Sequence, residues 1–491
     1  MHQIKRITLI NPPYNYQKES LPQVIRTPPL GLAYIAAILE KNNYAVEIID
    51  GNAECLTVEE IVSRVAGFNA DMVGLTATTP TIDIAHGIAK KIKNLNGNTV
   101  TVIGGVHATV LPKETLNEFS CFDYLVRNEG ELTLLELLEC LNNNLALNLV
   151  KGVVYKKDNV ININAPRAFI EDLDCLCFPA RNLLKTKLYS GLESNITTSL
   201  VTSRGCPGQC IYCAVNIVGG GKCRRRSVFN VIEEMEQCFY DNRINHITFV
   251  DDTFTFDRRW TEEFCLELSR KKIHRRIKWS CLTRVDKVDL SLLKLMKSAG
   301  CVRISFGIES GAQERLDFLK KGITVAETKK AFRMTREIGL LTMGFIILNI
   351  PGETRQHILE TKRLVLEVDP DFLQISFGIP YMGTELFNIC YRENLINNNE
   401  KRSDYILSNC RIIKNKDISE SEFKRLMLDI ARSFYLRPCY MLRTFLYIVL
   451  HPSSIKNMLK ASMNIVIRLR NIFVYQRRLN YAQVFVKSHG N

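Results

Sequence analysis

The chain lacks long apolar runs. A helix that spans a bilayer needs about 20 consecutive apolar residues, and no stretch of that length is free of charge. We therefore expect no transmembrane helix. The first residues, MHQIKRITLINPPY, also lack the apolar stretch and the small-residue cleavage site of a secretory signal. These two absences predict a cytoplasmic protein.

Acidic residues are missing from the end of the chain. Residues 430–491 contain no Asp or Glu but ten Lys or Arg, and they carry most of the net charge of +14. The same stretch holds two helix-like apolar segments, YMLRTFLYIVL and IKNMLKASMNIVIRLRNIF. Basic amphipathic helices can lie on an anionic membrane surface. Two interpretations stay open: peripheral contact with the inner face of the membrane, and helices that pack under the preceding domain.

Phosphate-binding loops are also missing, since the chain has neither GxGxxG nor a P-loop. Its organisation is nevertheless α/β. Short β-rich runs alternate with amphipathic helices in two series, which predicts a doubly wound parallel sheet followed by a partial (β/α) barrel of the TIM type. We predict an N-terminal domain over 1–145, a linker with a small hairpin over 146–195, a barrel over 196–385 and a helical basic region over 386–491.

Three of the sixteen cysteines stand apart from the others. Without a secretion signal a disulfide framework is not expected. Cys206, Cys210 and Cys213 form a CxxxCxxC motif directly after the strand-like run SLVTSRG. Three thiolates this close together can ligate three irons of one 4Fe–4S cluster and leave the fourth iron open for a ligand. A structural zinc site needs a fourth ligand, for which Cys223 is the alternative.

The CxxxCxxC motif with the aromatic Tyr212 resembles that of the radical S-adenosylmethionine (SAM) superfamily. The resemblance implies that the open iron chelates SAM, and that an electron from a ferredoxin- or flavodoxin-type donor splits SAM to a 5′-deoxyadenosyl radical under anaerobic conditions. It also implies SAM contacts at the ends of the barrel strands. The matching positions are Tyr212 within the cysteine motif, Asp251 and Asp252 near the methionine amine, Arg284 near the carboxylate, and Glu309 and Ser310 near the ribose or amine.

The first 145 residues resemble the cobalamin-binding domain that precedes the barrel in one branch of this superfamily. The segments RTPPLGL, VGLT, GGVHAT and NEGE carry the resemblance. It implies cobalamin contacts at Leu30, Gly31, Thr76, Gly104, Gly105, His107, Glu129 and Gly130. The histidine motif DxHxxG, which ligates cobalt in other proteins, is absent from the loop NPPYNYQKES. We therefore expect His107 to contact the corrin or its tail. The alternative is a domain that has lost its cofactor.

The branch includes phosphinate P-methylases, hopanoid-type lipid methylases and the anaerobic magnesium-protoporphyrin ester cyclase. The resemblance thus implies a methyltransferase that uses methylcobalamin and an adenosyl radical to methylate an unactivated carbon or a phosphinate in a small or lipid-like substrate. A ring-forming cyclase with the same cofactors and a cobalamin or redox sensor stay open as alternatives. No nucleic-acid partner is expected, because the extra domains of tRNA-modifying relatives are not visible.

Overall fold

Two parallel β-sheets, one after the other along the chain, organise the structure. The computed structural model describes residues 3–14, 26–191, 196–397 and 399–450. The two sheets and the helices that cover them agree with the predicted α/β fold class. The carboxyl edges of both sheets hold the residues that the sequence singles out.

The first sheet has seven strands in the order β2-β1-β3-β4-β5-β6-β7, and β1 to β5 are parallel. Helices cover both of its faces, so that Ile7, Leu9 and Ile10 of the inner strand β1 are all buried. The strands are β1 (Arg6–Asn11), β2 (Ala45–Asp50), β3 (Met72–Thr76), β4 (Val100–Gly104), β5 (Tyr124–Val126), β6 (Val153–Lys157) and β7 (Val160–Ile163). The helices are α1 (Leu30–Lys41), α2 (Val58–Phe68), α3 (Ile82–Leu95), α4 (Val106–Val110), α5 (Pro112–Glu118) and α6 (Glu131–Asn142).

Strands β6 and β7 form the hairpin that the sequence predicts. Its turn residues Asp158 and Asn159 have φ of +52° and +62°, the left-handed pair that a two-residue type I′ turn requires. Strand β6 pairs antiparallel with β5. The hairpin therefore extends the N-terminal sheet, whereas the predicted domain boundary at residue 145 places it in the linker.

The second sheet has six parallel strands in the order β15-β14-β13-β12-β11-β8, which confirms a partial barrel. The small strands β9 and β10 pair antiparallel beside it. The strands are β8 (Thr198–Leu200), β9 (Ser203–Arg204), β10 (Arg224–Arg225), β11 (His246–Phe249), β12 (Lys278–Thr283), β13 (Cys301–Glu309), β14 (Leu341–Leu348) and β15 (Phe372–Phe377). The helices are α7 (Val215–Val218), α8 (Val228–Asn242), α9 (Arg258–Arg270), α10 (Leu290–Ser298), α11 (Gln313–Phe318), α12 (Val325–Glu337) and α13 (Arg355–Val368).

Three helices follow the barrel: α14 (Glu385–Arg392), α15 (Glu420–Tyr435) and α16 (Pro438–Leu450). Helix α15 buries Phe423 and Phe434 in the barrel core. At the start of α16, Arg437 and Arg443 both form ion pairs with Asp369. Across the described ranges, none of the helices combines the length and the apolar character needed to cross a bilayer. The predicted segment IKNMLKASMNIVIRLRNIF lies outside the described residues.

Candidate active site

The CxxxCxxC motif lies in the loop between β9 and α7. Gly205 opens this loop with φ of +85°. A Cβ atom there would lie 2.4 Å from the carbonyl oxygen of Lys222 and 2.7 Å from that of Gly219. Only glycine fits this position, because its backbone packs directly against the turn at 219–222. The loop is thus closed at its base, and all three cysteines remain partly exposed beyond it.

The surroundings of the three thiols suit iron ligation. A cavity of about 290 Å³ opens beside Cys210 and Cys213. Burial raises the pKa of the Cys213 thiol to about 11, so its thiolate needs a nearby positive charge such as a bound iron. In the described ranges no three His, Cys, Asp or Glu side chains are grouped as ligands of one metal ion. That finding concerns a single ion, whereas each thiolate of a cubane binds its own iron.

A buried ion pair that the sequence did not reveal lies next to these thiols. The Lys321 Nζ donates to Glu309 Oε1 at 2.7 Å, and the Tyr212 hydroxyl donates to the same oxygen at 3.2 Å. Desolvation lowers the pKa of Lys321, but Glu309 and then Cys210 raise it, and the net shift is upward. The structure therefore brings Glu309 and Tyr212 together, and Lys321 adds a buried positive charge close to the cysteine loop.

The end of β13 is shaped to hold this pair. Glu309 has φ of +60°, an uncommon conformation for a residue other than glycine, and β13 is irregular here against β14. A Cβ atom on Gly307 would lie 2.3 Å from Glu309 Oε1 and 2.7 Å from Lys321 Nζ. Gly307 therefore makes room for the carboxylate and the ammonium group to meet.

Arg284 follows β12, as predicted, and faces the same loop. Its guanidinium donates to Asp286 Oδ1 at 2.8 Å and to the carbonyl oxygen of Gly322 at 3.2 Å. Desolvation lowers the pKa of Arg284, whereas its Asp286 partner and the thiol of Cys210 raise it, and the net shift is upward. Arg284 and Lys321 thus supply two cations near the thiols, where a carboxylate ligand finds charge-assisted hydrogen bonds.

Two adjacent carboxyl groups follow β11. Asp251 is buried, and its Oδ1 accepts hydrogen bonds from Thr202 and Ser203, while its Oδ2 has no partner in the described part of the chain. Burial and the neighbouring Asp251 raise the pKa of Asp252 to about 6, and Asp252 is close enough to Cys213 to affect that thiol. The unpartnered oxygen of Asp251 can accept a hydrogen bond, and the raised pKa of Asp252 shows that its negative charge lacks a strong cationic partner. Both groups therefore fit a cationic ligand such as an amine.

Two other barrel positions are occupied by contacts within the protein. The fully buried Ser310 hydroxyl lies 3.2 Å from Thr361 Oγ1 and accepts from the backbone N–H of Ala312 at 3.2 Å. In the LNIPGET segment, the Asn349 amide donates to the carbonyl oxygens of Cys410 and Ile413. Ser310 holds the turn after β13, and Asn349 fixes the loop after β14 to the C-terminal region.

The carboxyl edge of the N-terminal sheet shows both open and crowded glycines. Among the residues that the structure describes, a Cβ atom on Gly31 would meet none of its neighbours within 4 Å, and one on Gly104 would meet only the Val126 carbonyl at 3.5 Å. Gly105 has φ of +90°, and a Cβ there would lie 2.6 Å from Thr76 Oγ1. Gly105 is therefore required by the contacts of the protein itself. Gly31 faces open space and Gly104 is not crowded, so both positions leave room for a flat ligand.

His107 lies at the start of α4 and is buried. Its Nδ1 lies 3.2 Å from Thr79 Oγ1. Desolvation, followed by the charge of Arg402, lowers the pKa of His107 to about 4, so the imidazole is neutral near pH 7. The structure thus gives His107 a hydrogen-bonding partner in the neighbouring loop, which follows β3.

Glu129 is occupied by contacts with the barrel. It accepts hydrogen bonds from Arg204 and Arg224 of the barrel, and the neighbouring Gly130 packs against Ile35 of α1. Leu30, at the start of α1, packs in a separate cluster with linker residues. These three positions therefore contact the protein, and a cofactor contact at them stays a prediction.

The two carboxyl edges face each other. Helix α4, which follows the Gly104–Gly105 turn, packs on α7, which follows the cysteine loop. Between them lies Gly383, where a Cβ atom would meet Ile217 Cδ1 and Val110 Cγ1, both at 3.0 Å. The open edge of the N-terminal sheet and the cysteine loop are thus neighbours across one interface.

Comparison with known proteins agrees with this arrangement. Residues 25–138 match the B12 binding domain, and residues 200–365 match the radical SAM superfamily. The chain is 34% identical over 439 residues to an uncharacterized methyltransferase, PH0819, of Pyrococcus horikoshii. The match covers 89% of this chain and 93% of that protein. The chain belongs to the radical SAM superfamily, in the branch with a B12-binding domain.

Two further proteins are similar to the chain. It is 29% identical over 439 residues to the anaerobic magnesium-protoporphyrin IX monomethyl ester cyclase of Cereibacter sphaeroides, covering 88% of this chain and 70% of that protein. The cobalamin-dependent SAM radical enzyme OxsB superposes with a TM-score of 0.72 at 16% identity, over 98% of this chain and 81% of that one. The likeness to OxsB shows the shared fold.

The two domain matches assign the cofactors of this radical SAM enzyme: cobalamin to the N-terminal domain, and SAM with a 4Fe–4S cluster to the barrel. The residues present fit these groups. The N-terminal edge leaves open space at Gly31 and Gly104, and the cysteine loop faces two cations and the unpartnered oxygen of Asp251. Which individual side chains touch each cofactor stays a prediction.

The buried position of His107 leads to a spectroscopic prediction. In the full-length protein with bound cobalamin, we expect the Co(II) paramagnetic resonance spectrum to be identical in the wild type and in His107→Ala, because the buried imidazole is held by Thr79 of the neighbouring loop after β3. Nitrogen superhyperfine splitting that is present in the wild type and absent from His107→Ala would show instead that His107 ligates cobalt.

Proposed function

We propose that this enzyme transfers a methyl group to an unactivated carbon or phosphinate centre of a small or lipid-like substrate. The observation that carries the proposal is the α4–α7 interface, because it brings the open edge of the B12-binding domain next to the cysteine loop. When bound, the cluster and SAM supply a 5′-deoxyadenosyl radical and cobalamin supplies a methyl group. Both must reach one substrate atom, so adjacent sites are a requirement of this chemistry.

The protein's own residues have separate tasks in this proposal. Cys206, Cys210 and Cys213 hold the cluster. Arg284 and Lys321 bind the carboxylate of SAM, and the carboxyl groups that follow β11 bind its amine, since each group is offered a partner of opposite charge. Glu309 keeps Lys321 charged and in place through their 2.7 Å hydrogen bond. The enzyme thereby orients SAM on the cluster before cleavage.

The experiment that tests the proposal is anaerobic reconstitution of the full chain with iron, sulfide, hydroxocobalamin, SAM and a reductant. Methyl transfer through cobalamin turns one SAM into S-adenosylhomocysteine, and radical formation turns another into 5′-deoxyadenosine. We expect both products. A protein that binds cobalamin but forms neither product would be a sensor, and the proposal would be wrong.

The similarity to the magnesium-protoporphyrin ester cyclase favours one alternative, a ring-forming reaction without methyl transfer. The two functions share the cofactors and differ in the fate of SAM. Formation of 5′-deoxyadenosine without S-adenosylhomocysteine would support the cyclase type of reaction. In either case, we infer a ferredoxin- or flavodoxin-type electron donor, since SAM cleavage requires one electron that the chain does not supply.

We also propose that the C-terminal region contacts an anionic membrane surface. Helix α16 presents five large apolar side chains, each between 50% and 62% exposed, and their spacing places them on one helix face; they are Met441, Leu442, Phe445, Leu446 and Val449. Residues 430–491 contain ten basic residues and no acidic one. Each basic residue near an anionic surface contributes about 1 kcal/mol of binding free energy. Arg437 and Arg443 already pair with Asp369, so their charges contribute less to membrane binding. The apolar face of α16 supplies the rest of the binding free energy.

A flotation experiment measures this contact. We expect the full chain to float with anionic vesicles at low salt and to detach as salt rises, because the Debye length is only about 8 Å at physiological ionic strength. The triple variant Leu442→Ser, Phe445→Ser, Val449→Ser should float less. The matched control is Leu95→Ser, which changes an exposed leucine of α3. Equal flotation with neutral vesicles, or none with either kind, would leave the helices as packing elements.

A further inference from the structure

A network of buried ion pairs joins the N-terminal domain to the cysteine loop. Glu129 and Glu131 lie in the NEGE segment after β5, and Arg204 and Arg224 lie on β9 and β10 of the barrel. The four side chains are between 2% and 17% exposed. Charged groups are rarely buried without a role, because their desolvation is costly unless they are paired and hydrogen-bonded.

Glu129 is the centre of this network. Its Oε1 accepts from Arg204 at 3.0 Å and from Arg224 at 2.8 Å, and its Oε2 accepts from Arg224 at 3.0 Å and from the backbone N–H of Ile170 at 2.7 Å. Arg204 also donates to Glu131 at 2.7 Å. Both oxygens of Glu129 are thus used by the protein itself.

The barrel side of the network holds the base of the cysteine loop. Arg204 lies two residues before Cys206 in the sequence. Arg224 donates to the carbonyl oxygen of Gly219 at 3.0 Å, and that carbonyl packs on Gly205 at the start of the loop. Glu129 therefore fixes both sides of the loop base through the planar guanidinium groups of Arg204 and Arg224.

The N-terminal side of the network holds the edge that carries the open glycines. Arg204 also stacks over the ring of Tyr34 in α1, with 5.1 Å between the guanidinium carbon and the ring centroid. Gly31 begins the same helix, and Gly130 packs on Ile35 one residue after Tyr34. One cluster of side chains thus contacts the loop that holds the cysteines and the helix that borders the open space.

We propose that Glu129 is a positioning residue that fixes the distance between the cobalamin edge and the iron–sulfur loop. This inference rests on the proposed function for its purpose, since two cofactors that act on one substrate atom must be held at a set separation. A misplacement of about 1 Å at a reacting centre can reduce a rate ~100-fold. Glu129 acts through Arg204 and Arg224 and touches neither cofactor.

The test measures the separation directly. Full-length enzyme reconstituted with the cluster and hydroxocobalamin is reduced to Co(II) and the paramagnetic cluster, and pulsed paramagnetic resonance gives the distance distribution between the two spins. We expect one narrow distribution in the wild type. Glu129→Gln, which keeps the shape and removes the charge, should broaden or shift it by about 1 Å, the scale on which reaction geometry matters. Cluster and cobalamin content should stay unchanged.

Two more variants test whether Glu129 acts through the arginines of the network. Arg204→Lys keeps the charge but cannot bridge two carboxylates in a planar fork, so it should broaden the distribution even if Glu129→Gln fails to fold. Glu59→Gln is the matched control, because it removes an exposed ion pair with Lys91 that lies wholly within the N-terminal domain; its distribution should equal that of the wild type. Unchanged distributions in Glu129→Gln and Arg204→Lys would overturn the proposal.

Loss of cobalamin from Glu129→Gln, with a wild-type distribution in Arg204→Lys, would also overturn the proposal and make Glu129 a cofactor contact. The outcome is separate from that of the proposed function. The spin distance is measured without substrate or turnover. A wild-type enzyme that forms no S-adenosylhomocysteine would disprove methyl transfer and leave the positioning role of Glu129 intact.

Discussion

Replacing any one of Cys206, Cys210 or Cys213 with alanine is expected to abolish 5′-deoxyadenosine formation, because two thiolates hold a cubane poorly and no longer fix its open iron. The iron content and the visible absorption of the reconstituted protein should fall with the activity. The measurement is product analysis after anaerobic reconstitution, compared at equal protein concentration with the wild type.

Two other cysteines serve as matched controls for this prediction. Cys177 and Cys223 are partly exposed, like the three cysteines of the loop, and their alanine variants should retain cluster content and SAM cleavage. If Cys223→Ala proves as damaging as the three loop variants, the cluster has a fourth protein ligand and the assignment of an open iron is wrong.

Lys321→Met is expected to lose SAM cleavage and to destabilise the fold. The variant leaves the Glu309 carboxylate buried without its cation, and breaking a buried ion pair in this way costs about 3–5 kcal/mol of unfolding free energy. It also removes one of the two cations near the thiols. Chemical denaturation measures the first effect, and the dependence of 5′-deoxyadenosine formation on SAM concentration measures the second.

The neighbouring lysine provides the control. Lys320 is 51% exposed and pairs with Glu385 on the surface, so Lys320→Met should change the unfolding free energy by less than about 1 kcal/mol. The double variant Lys321→Met, Glu309→Gln should recover part of the stability, because the unpaired charge is gone, but not SAM cleavage. Wild-type SAM cleavage in Lys321→Met would show that Lys321 has only a structural role.

The sequence predicts most of the fold because parallel strands that are buried on both faces are short, continuous apolar runs. The strands of both parallel sheets lie where these runs predict them, and the hairpin turn at Asp158 and Asn159 follows from its residue types. The partner of the hairpin was not predictable. Its pairing with β5 depends on tertiary contacts. The sequence pattern of an antiparallel hairpin is the same whether the hairpin stands alone or extends a sheet.

The candidate site was predictable where one short motif carries the chemistry, as in the cysteine loop. Lys321 was not, because two lysines in tandem give no sign of which one is buried. The role of Gly307 becomes clear only once the direction of the Glu309 side chain is known. The partners of Glu129 lie 75 and 95 residues away in the chain, so no local pattern connects them, and its acidic motif resembles a cofactor contact instead.

The ion pairs of Glu129 and Glu131 also limit how these two domains can be recombined. When the barrel is separated from its N-terminal domain, Arg204 and Arg224 lose the carboxylates that pair with them. These arginines lie on β9, which leads into the cysteine loop, and on its partner β10. A B12-binding domain taken from another protein restores the carboxylates only if its fifth strand is followed by acids at the same two places. We therefore expect the two domains to fit together only as a matched pair. Chimaeras between relatives should take the NEGE segment and both arginines from the same parent.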